Sequence, residues 1–321
     1  GRSSAASDVY KRQTRLTVMA LIWGGSAGVI FSFLVEMAVP ASEFVTMAIV
    51  APLAEELAKA SVFILVATGA RKLELTSLTD HIFYAGICAL GFAFVENLGY
   101  FALSSSAGEF VVMALVRTGF GVFGHPLYTT ATAVGIWAWR TKGGLWKAAV
   151  GYIAACLLHG LWNGGPTLLA GSLGLDDTGQ LAAMILVYIV LFVPVFIGTI
   201  IMTTRNRRNE YEAVRSQLPL MVEAGLVTPA EADMIADPRK RRAILADSGK
   251  YGRVAKRNQK RTITAATEAA LAQHRIAAGE GGPELIKRRD QLSEWLRSRP
   301  DKLGQLPLMP QFPPIQPPAT W

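Results

Sequence analysis

Four apolar stretches of this chain carry side chains that could do chemistry. Glu55, Glu56 and Lys59 lie in APLAEELAKA, and Glu96 with Asn97 in GFAFVENLGY. Arg117 and His125 lie in VRTGFGVFGHPLYT, and His159 with Asn163 in LLHGLWNGG. In a bilayer each ionisable group costs at least about 2.5–3.5 kcal/mol on insertion scales, so each needs a reason. Together they are parts for hydrolysis: a carboxylate takes a proton from water, while imidazole and amide stabilise the developing oxyanion. Glu96, His125 and His159 are also candidate zinc ligands, because zinc typically takes three protein ligands and leaves a water position open. The residue types alone do not choose between zinc and no metal, and the chain has no HExxH motif.

Spacing assigns neighbours. Glu55 and Lys59 are i,i+4 and can pair, whereas Glu56 is expected to point about 100° away. His159 and Asn163 are also i,i+4, with both polar tips on one face. Pro126, directly after His125, is expected to free a carbonyl near Val122, with Gly119, Gly121 and Gly124 allowing close backbone approach. Gly164, Gly165 and Pro166 are expected to break the next helix just past Asn163. Such breaks are tolerated in a membrane only beside protein or water, which predicts a polar, hydrated cavity. Arg117 is placed either to orient a carboxylate or to snorkel to the interface. Asn97 is placed to orient Glu96 or to satisfy nearby backbone. Tyr100 and Trp162 read as interface or packing aromatics.

The elements that must position these groups are transmembrane helices. The chain is 51% hydrophobic and 17% charged, with mean hydropathy +0.31, too apolar for an ordinary soluble enzyme. A bilayer core needs about 20 apolar residues per helix. Six stretches qualify, near 16–40, 43–68, 81–103, 110–138, 147–170 and 181–203. The expected fold is therefore an all-α polytopic bundle of about six visible transmembrane helices with a basic cytoplasmic tail. Arg15, the Arg71–Lys72 pair, Arg140, Lys142, Lys147 and Arg205, Arg207 and Arg208 flank alternate ends, and the loops Ser104–Glu109 and Ser172–Gln180 hold no Lys or Arg. Basic loops stay cytoplasmic, which puts the tail inside. From the cytoplasmic ends, Glu55, Glu96, His125 and His159 each lie about 12–15 residues deep, or roughly 18–22 Å. That common level, a little beyond mid-membrane, argues for one shared site.

Residues 1–202 hold 11 basic and 11 acidic side chains, and residues 203–321 hold 21 and 13, so the net +8 belongs to the C-terminal part. From about Thr204 the sequence reads as short polar helices, partly disordered, ending in the Pro-rich LPLMPQFPPIQPP. The clusters Arg239–Arg242 and Lys250–Arg261 suit an anionic lipid surface or simply solvent. No motif supports nucleic-acid binding. Residues 1–13 read as a translated sequencing adapter, which puts the encoded start near Thr14 and leaves further helices unaccounted for; nothing resembles a cleavable signal. The expected domains are thus 14–203 in the membrane and 204–321 as tail. Cys88 and Cys156 lie in apolar stretches and no GxxxxGK[ST] loop is present, which excludes a disulfide scaffold and gives no sign of a nucleotide-driven pump.

The combination of EExxK (Glu55-Glu56-Leu57-Ala58-Lys59), FxxxEN (Phe92 to Glu96-Asn97), His125 and HxxxN (His159 to Asn163) resembles the PrsW family of intramembrane proteases. That family is related to the CAAX prenyl endopeptidases and bacteriocin-immunity membrane proteins. The likeness spans about 16–203, with four motifs in order on successive helices. It implies that Glu55 and Glu56 are essential carboxylates, with Glu55 the base. It places Glu96 where the CAAX relatives carry histidine, and His159 with Asn163 at their oxyanion pair. EExxK rather than EExxxR sides with PrsW. Relatives are described both as metalloproteases and as metal-free glutamate proteases, so zinc or no cofactor is implied. A membrane-anchored substrate of anti-sigma-factor type in a bacterial plasma membrane is implied as well. The competing reading is a proton- or ion-coupled transporter built on the same buried Glu/His set, although no internal repeat supports it. A serine protease reading rests on Gly24-Gly25-Ser26-Ala27-Gly28, which also forms a GxxxG packing surface. In a third reading the polar groups only glue helices together.

Overall fold

The computed structural model describes residues 5–68, 75, 77–121, 123–280 and 282–299. Every regular element among them is a helix. The chain divides into two units, Lys11–Asn209 and Glu210–Trp321 with Gly1–Tyr10. Arg71, Lys72 and the Pro-rich end, which figure in the sequence reading, lie outside the described residues.

In the first unit, α1 (Ala5–Trp23) and α2 (Val29–Ala38) join through a π-helical turn, Gly24–Gly28. The short α3 (Glu43–Val45) passes through a second π turn, Thr46–Val50, into α4 (Ala51–Thr68). Then come α5 (Leu78–Ala102), α6 (Ala107–Leu115) with its π turn Val116–Phe120, α7 (Gly124–Lys142) and α8 (Trp146–Leu173). Next are α9 (Asp177–Val187), a π turn at Tyr188–Phe192, and α10 (Val193–Glu223). The polar loops supply the starts. Ser77 and Asp80 form a reciprocal capping box on α5, Ser106 caps α6 and Asp176 caps α9. Gly174, at φ 65°, ends α8 in a left-handed cap.

Among the described residues, four helical stretches are long and apolar enough to cross a membrane: Thr14–Ala38, Leu78–Ala102, Ala107–Lys142 and Gly179–Glu223. The other two expected spans coincide with α3–α4 and α8. These hold Glu55, Glu56 and Lys59, and the Gly, Trp, His and Asn residues of α8, and so are less apolar. The Ala107–Lys142 stretch is interrupted around Gly121. Pro126 is not what breaks it. Pro126 is the third residue of α7, in the first turn, where its missing N–H costs no helical bond. The expected break at Gly164–Pro166 is also absent, because α8 runs on to Leu173 with Pro166 inside it.

Packing inverts the soluble pattern. Ala85, Cys88, Ala89, Ala133 and Ala155 are fully buried, while Phe33, Leu34, Met37 and Phe94 face outward at 58–70% exposure. Small residues let backbones touch. A Cβ on Gly24 would strike the Cys88 carbonyl on α5. Gly135 of α7 and Gly151 of α8 press together so closely that a Cβ on either would lie 2.8–2.9 Å from the other's Cα.

The second unit holds the end of α10, then α11 (Pro229–Ile235), α12 (Pro238–Ser248), α13 (Arg253–Ala277) and α14 (Pro283–Ser298). Where the sequence reads as solvated short helices, the described residues pack. Ala265, Ala266, Ala269 and Ala270 make a stripe on α13 that joins Leu292, Leu296, Met234, Ile235 and Leu218 in one buried cluster. Low overall hydrophobicity hid this core, because alanine fills much of it. Thr228 and Glu231 form a capping box on α11, and buried Arg299 donates to Glu231. Asp237 caps α12, and the Arg239 and Lys240 backbone N–H groups hold its carboxyl below the usual carboxylate range.

Candidate active site

Lys59 is the hub. Its ammonium donates to Glu55 Oε2 at 3.2 Å and Glu56 Oε1 at 2.9 Å, and lies 2.9 Å from His125 Nδ1. Glu56 does not point away from the Glu55–Lys59 face as expected, because an i,i+3 lysine reaches it as readily as an i,i+4 one. The Phe92 ring of α5 lies 4.1 Å from the ammonium, a cation–π contact. Thr129, one turn after His125 on α7, donates to Glu56 Oε2 at 2.8 Å. His159 Nδ1 sits 3.2 Å from Glu56 Oε1, yet the alignment makes no hydrogen bond and leaves that buried nitrogen unsatisfied. Tyr128 stacks on His159, ring centroids 4.8 Å apart, with its own hydroxyl buried and unbonded.

A more open rim follows. His125 Nε2 lies 2.9 Å from Glu96 Oε2, and Arg117 Nη2 donates to the same oxygen at 2.6 Å. Arg117 Nε donates to Asn97 Oδ1, and its guanidinium covers the Tyr100 ring at 3.7 Å. Arg117 thus turns inward, Asn97 orients it, and Tyr100 is part of its seat. Side-chain exposure rises from 0% at Lys59 and Glu56, through 6% at Glu55 and 9% at His125, to 20% at Glu96 and Arg117. In place of a cavity lined by separate polar tips, the described groups touch one another directly.

Asn163 is not brought into this cluster. Its Nδ2 donates to the Met47 carbonyl at 3.0 Å. That carbonyl lacks its ordinary helical donors, because the π turn diverts the Ala51 N–H to Thr46 and Pro52 has no N–H. The same face of α8 also straps the start of α4 at two points. Tyr152 donates to the Leu53 carbonyl at 2.8 Å, and the Cys156 thiol to the Pro52 carbonyl at 3.7 Å. These bonds set His159 against Glu55 and Glu56. Trp162 packs on Tyr188 and Phe192. Ser26 is exposed and its hydroxyl donates to the Ile22 carbonyl of its own helix, which leaves the serine reading without a nucleophile.

Glu55, His125 and His159 each place a ligand atom within 4.8 Å of the others, so they could hold a metal ion. Glu96 falls outside that group, held by Arg117. Two imidazoles and a carboxylate suit zinc by donor type, and His159 turns Nε2 toward Glu55, 3.8 Å from its Oε2. Thr129 and Tyr128 were not singled out by the sequence. The available signal was their position on the His125 face of one helix, three and four residues on.

The geometry is that of a buried cluster of carboxylates, imidazoles and one lysine inside an apolar helical bundle. No curated protein and no solved structure matches the chain. A family model described as PrsW family intramembrane metalloprotease matches residues 12–199. That range covers more than half of the chain and contains every residue of the cluster, so the protein belongs to the PrsW family of intramembrane metalloproteases.

Proposed function

We propose that the chain is an intramembrane endopeptidase that hydrolyses a peptide bond of a membrane-anchored protein, with Glu55 as general base. The observation carrying this is the unequal use of the two adjacent glutamates. Glu56 is engaged at both oxygens, by Lys59 and Thr129. Glu55 shares Oε2 alone with Lys59, at the longer distance, and faces His125 and His159 at 3.7 and 3.8 Å. A base needs lone-pair capacity for water, and Glu55 keeps it. The imidazoles then stabilise the oxyanion, while Asn163 serves by holding α8 on α4. In the alternative in which Glu55, His125 and His159 hold a zinc ion, the ion would supply Lewis-acid polarisation of the scissile carbonyl in place of the imidazoles. A substrate helix must unwind locally to expose a peptide bond. Family membership favours this over proton- or ion-coupled transport.

Six spans, with α3–α4 and α8 completing the four more apolar helices, fit this reading. So does a tail on the cytoplasmic side of a bacterial plasma membrane, with an anti-sigma-factor-like substrate. The test is cleavage of a panel of single-span membrane proteins by purified wild type beside Glu55→Gln. Product from wild type alone supports the reading; equal cleavage by both overturns the role of Glu55. In the second unit Arg239, Arg242, Arg253, Lys256, Arg257 and Lys260 are exposed, as are Tyr251 and Val254. Such exposed basic and apolar side chains suit an anionic leaflet, at about 1 kcal/mol per basic residue near the surface. Charge reversal of Arg253, Lys256 and Arg257 should weaken reversible, salt-sensitive binding of residues 204–321 to phosphatidylserine vesicles; unchanged co-sedimentation would refute it.

A further inference from the structure

The ammonium of Lys59 and a metal ion compete for the same place. Of the three groups that could hold an ion, Lys59 Nζ contacts two, Glu55 Oε2 at 3.2 Å and His125 Nδ1 at 2.9 Å. Those two atoms are themselves only 3.7 Å apart, so an ion bonded to both would sit against the ammonium. Like charges that close, with the lysine fully buried and no water to screen them, repel strongly. We infer that Lys59 is a built-in cation that fills the Glu55–Glu56–His125 nest and must swing away before a divalent ion can be held by Glu55, His125 and His159. The Phe92 ring under the ammonium and the second carboxylate, Glu56, hold the lysine in place. Glu96 and Arg117 bind each other at the rim and leave His125 Nδ1 to face Lys59.

This deepens the peptidase reading of the same cluster, but it concerns occupancy and not turnover. The experiment is a zinc titration of the full chain in detergent against a chromophoric chelator, for wild type, Lys59→Gln, Lys59→Arg and Glu55→Gln. Lys59→Gln should bind zinc at least tenfold more tightly than wild type, with one ion per chain. Lys59→Arg, which keeps the charge, should bind no more tightly than wild type. Glu55→Gln should bind at least tenfold more weakly than Lys59→Gln. Equal or weaker zinc binding by Lys59→Gln overturns the inference, provided that it elutes as wild type does in gel filtration. Should it not, Lys59→Met read in the same way decides. Loss of cleavage with the predicted zinc order intact would count against the peptidase reading alone.

Discussion

The two units are built from the same element and solve opposite problems. In Lys11–Asn209 alanine, glycine and a charged cluster are buried beside larger residues such as Phe63, Tyr84, Phe92 and Ile136, and many outward residues are large and apolar. In the second unit leucine, methionine, isoleucine and alanine are inside, and lysine and arginine are outside. A helix in water gains by hiding apolar surface. A helix in lipid gains little by that, so close backbone packing and satisfied polar groups hold its neighbours. The contrast teaches where chemistry can be placed. Among the described residues the first unit shields three carboxylates, a lysine and two imidazoles together, and there an unpaired partner is costly.

That contrast can be broken in order of size. Glu55→Gln should lower cleavage by about 10²–10⁴-fold, the usual reach of a positioned base, while circular dichroism and gel filtration stay as in wild type. A smaller loss would place the base elsewhere. Leu292→Ala, at a fully buried site in the second unit, should cost about 2–5 kcal/mol there. Hydrogen exchange would show it as lost protection confined to residues 210–299; protection kept there would mean that the alanine-rich core is not what holds that unit. Thr129→Val keeps the shape but removes the donor to Glu56. It should cost about 1.5–3 kcal/mol in the first unit, read as a lower melting temperature in detergent. A melting temperature equal to wild type would show that Glu56 does not depend on that hydroxyl.

Much of the site was legible before any fold. Charged and imidazole residues in apolar stretches are conspicuous because lipid makes them expensive, and their similar depth pointed to one site. What spacing could not give was the partner of each atom. An ideal helix wheel turned Glu56 away, yet a lysine side chain is long enough to collect both glutamates. Asn163 read as an oxyanion group, but a π turn and Pro52 create a needy carbonyl at Met47, and the amide goes there. Proline positions misled for a related reason: what Pro126 costs depends on whether it lies in a first turn or an interior.

By itself the sequence determined helix as the only economical element, the apolar stretches, the candidate residues and the asymmetry of charge along the chain. These follow from composition and period, which are local. The tertiary structure alone decided that Glu55, and not Glu96, closes a set with His125 and His159. It also decided that Arg117 turns inward onto Glu96, and that Lys59 takes the central position. Those choices depend on distances between residues tens of positions apart, fixed by glycine contacts such as Gly135 with Gly151, and no single helix carries that information.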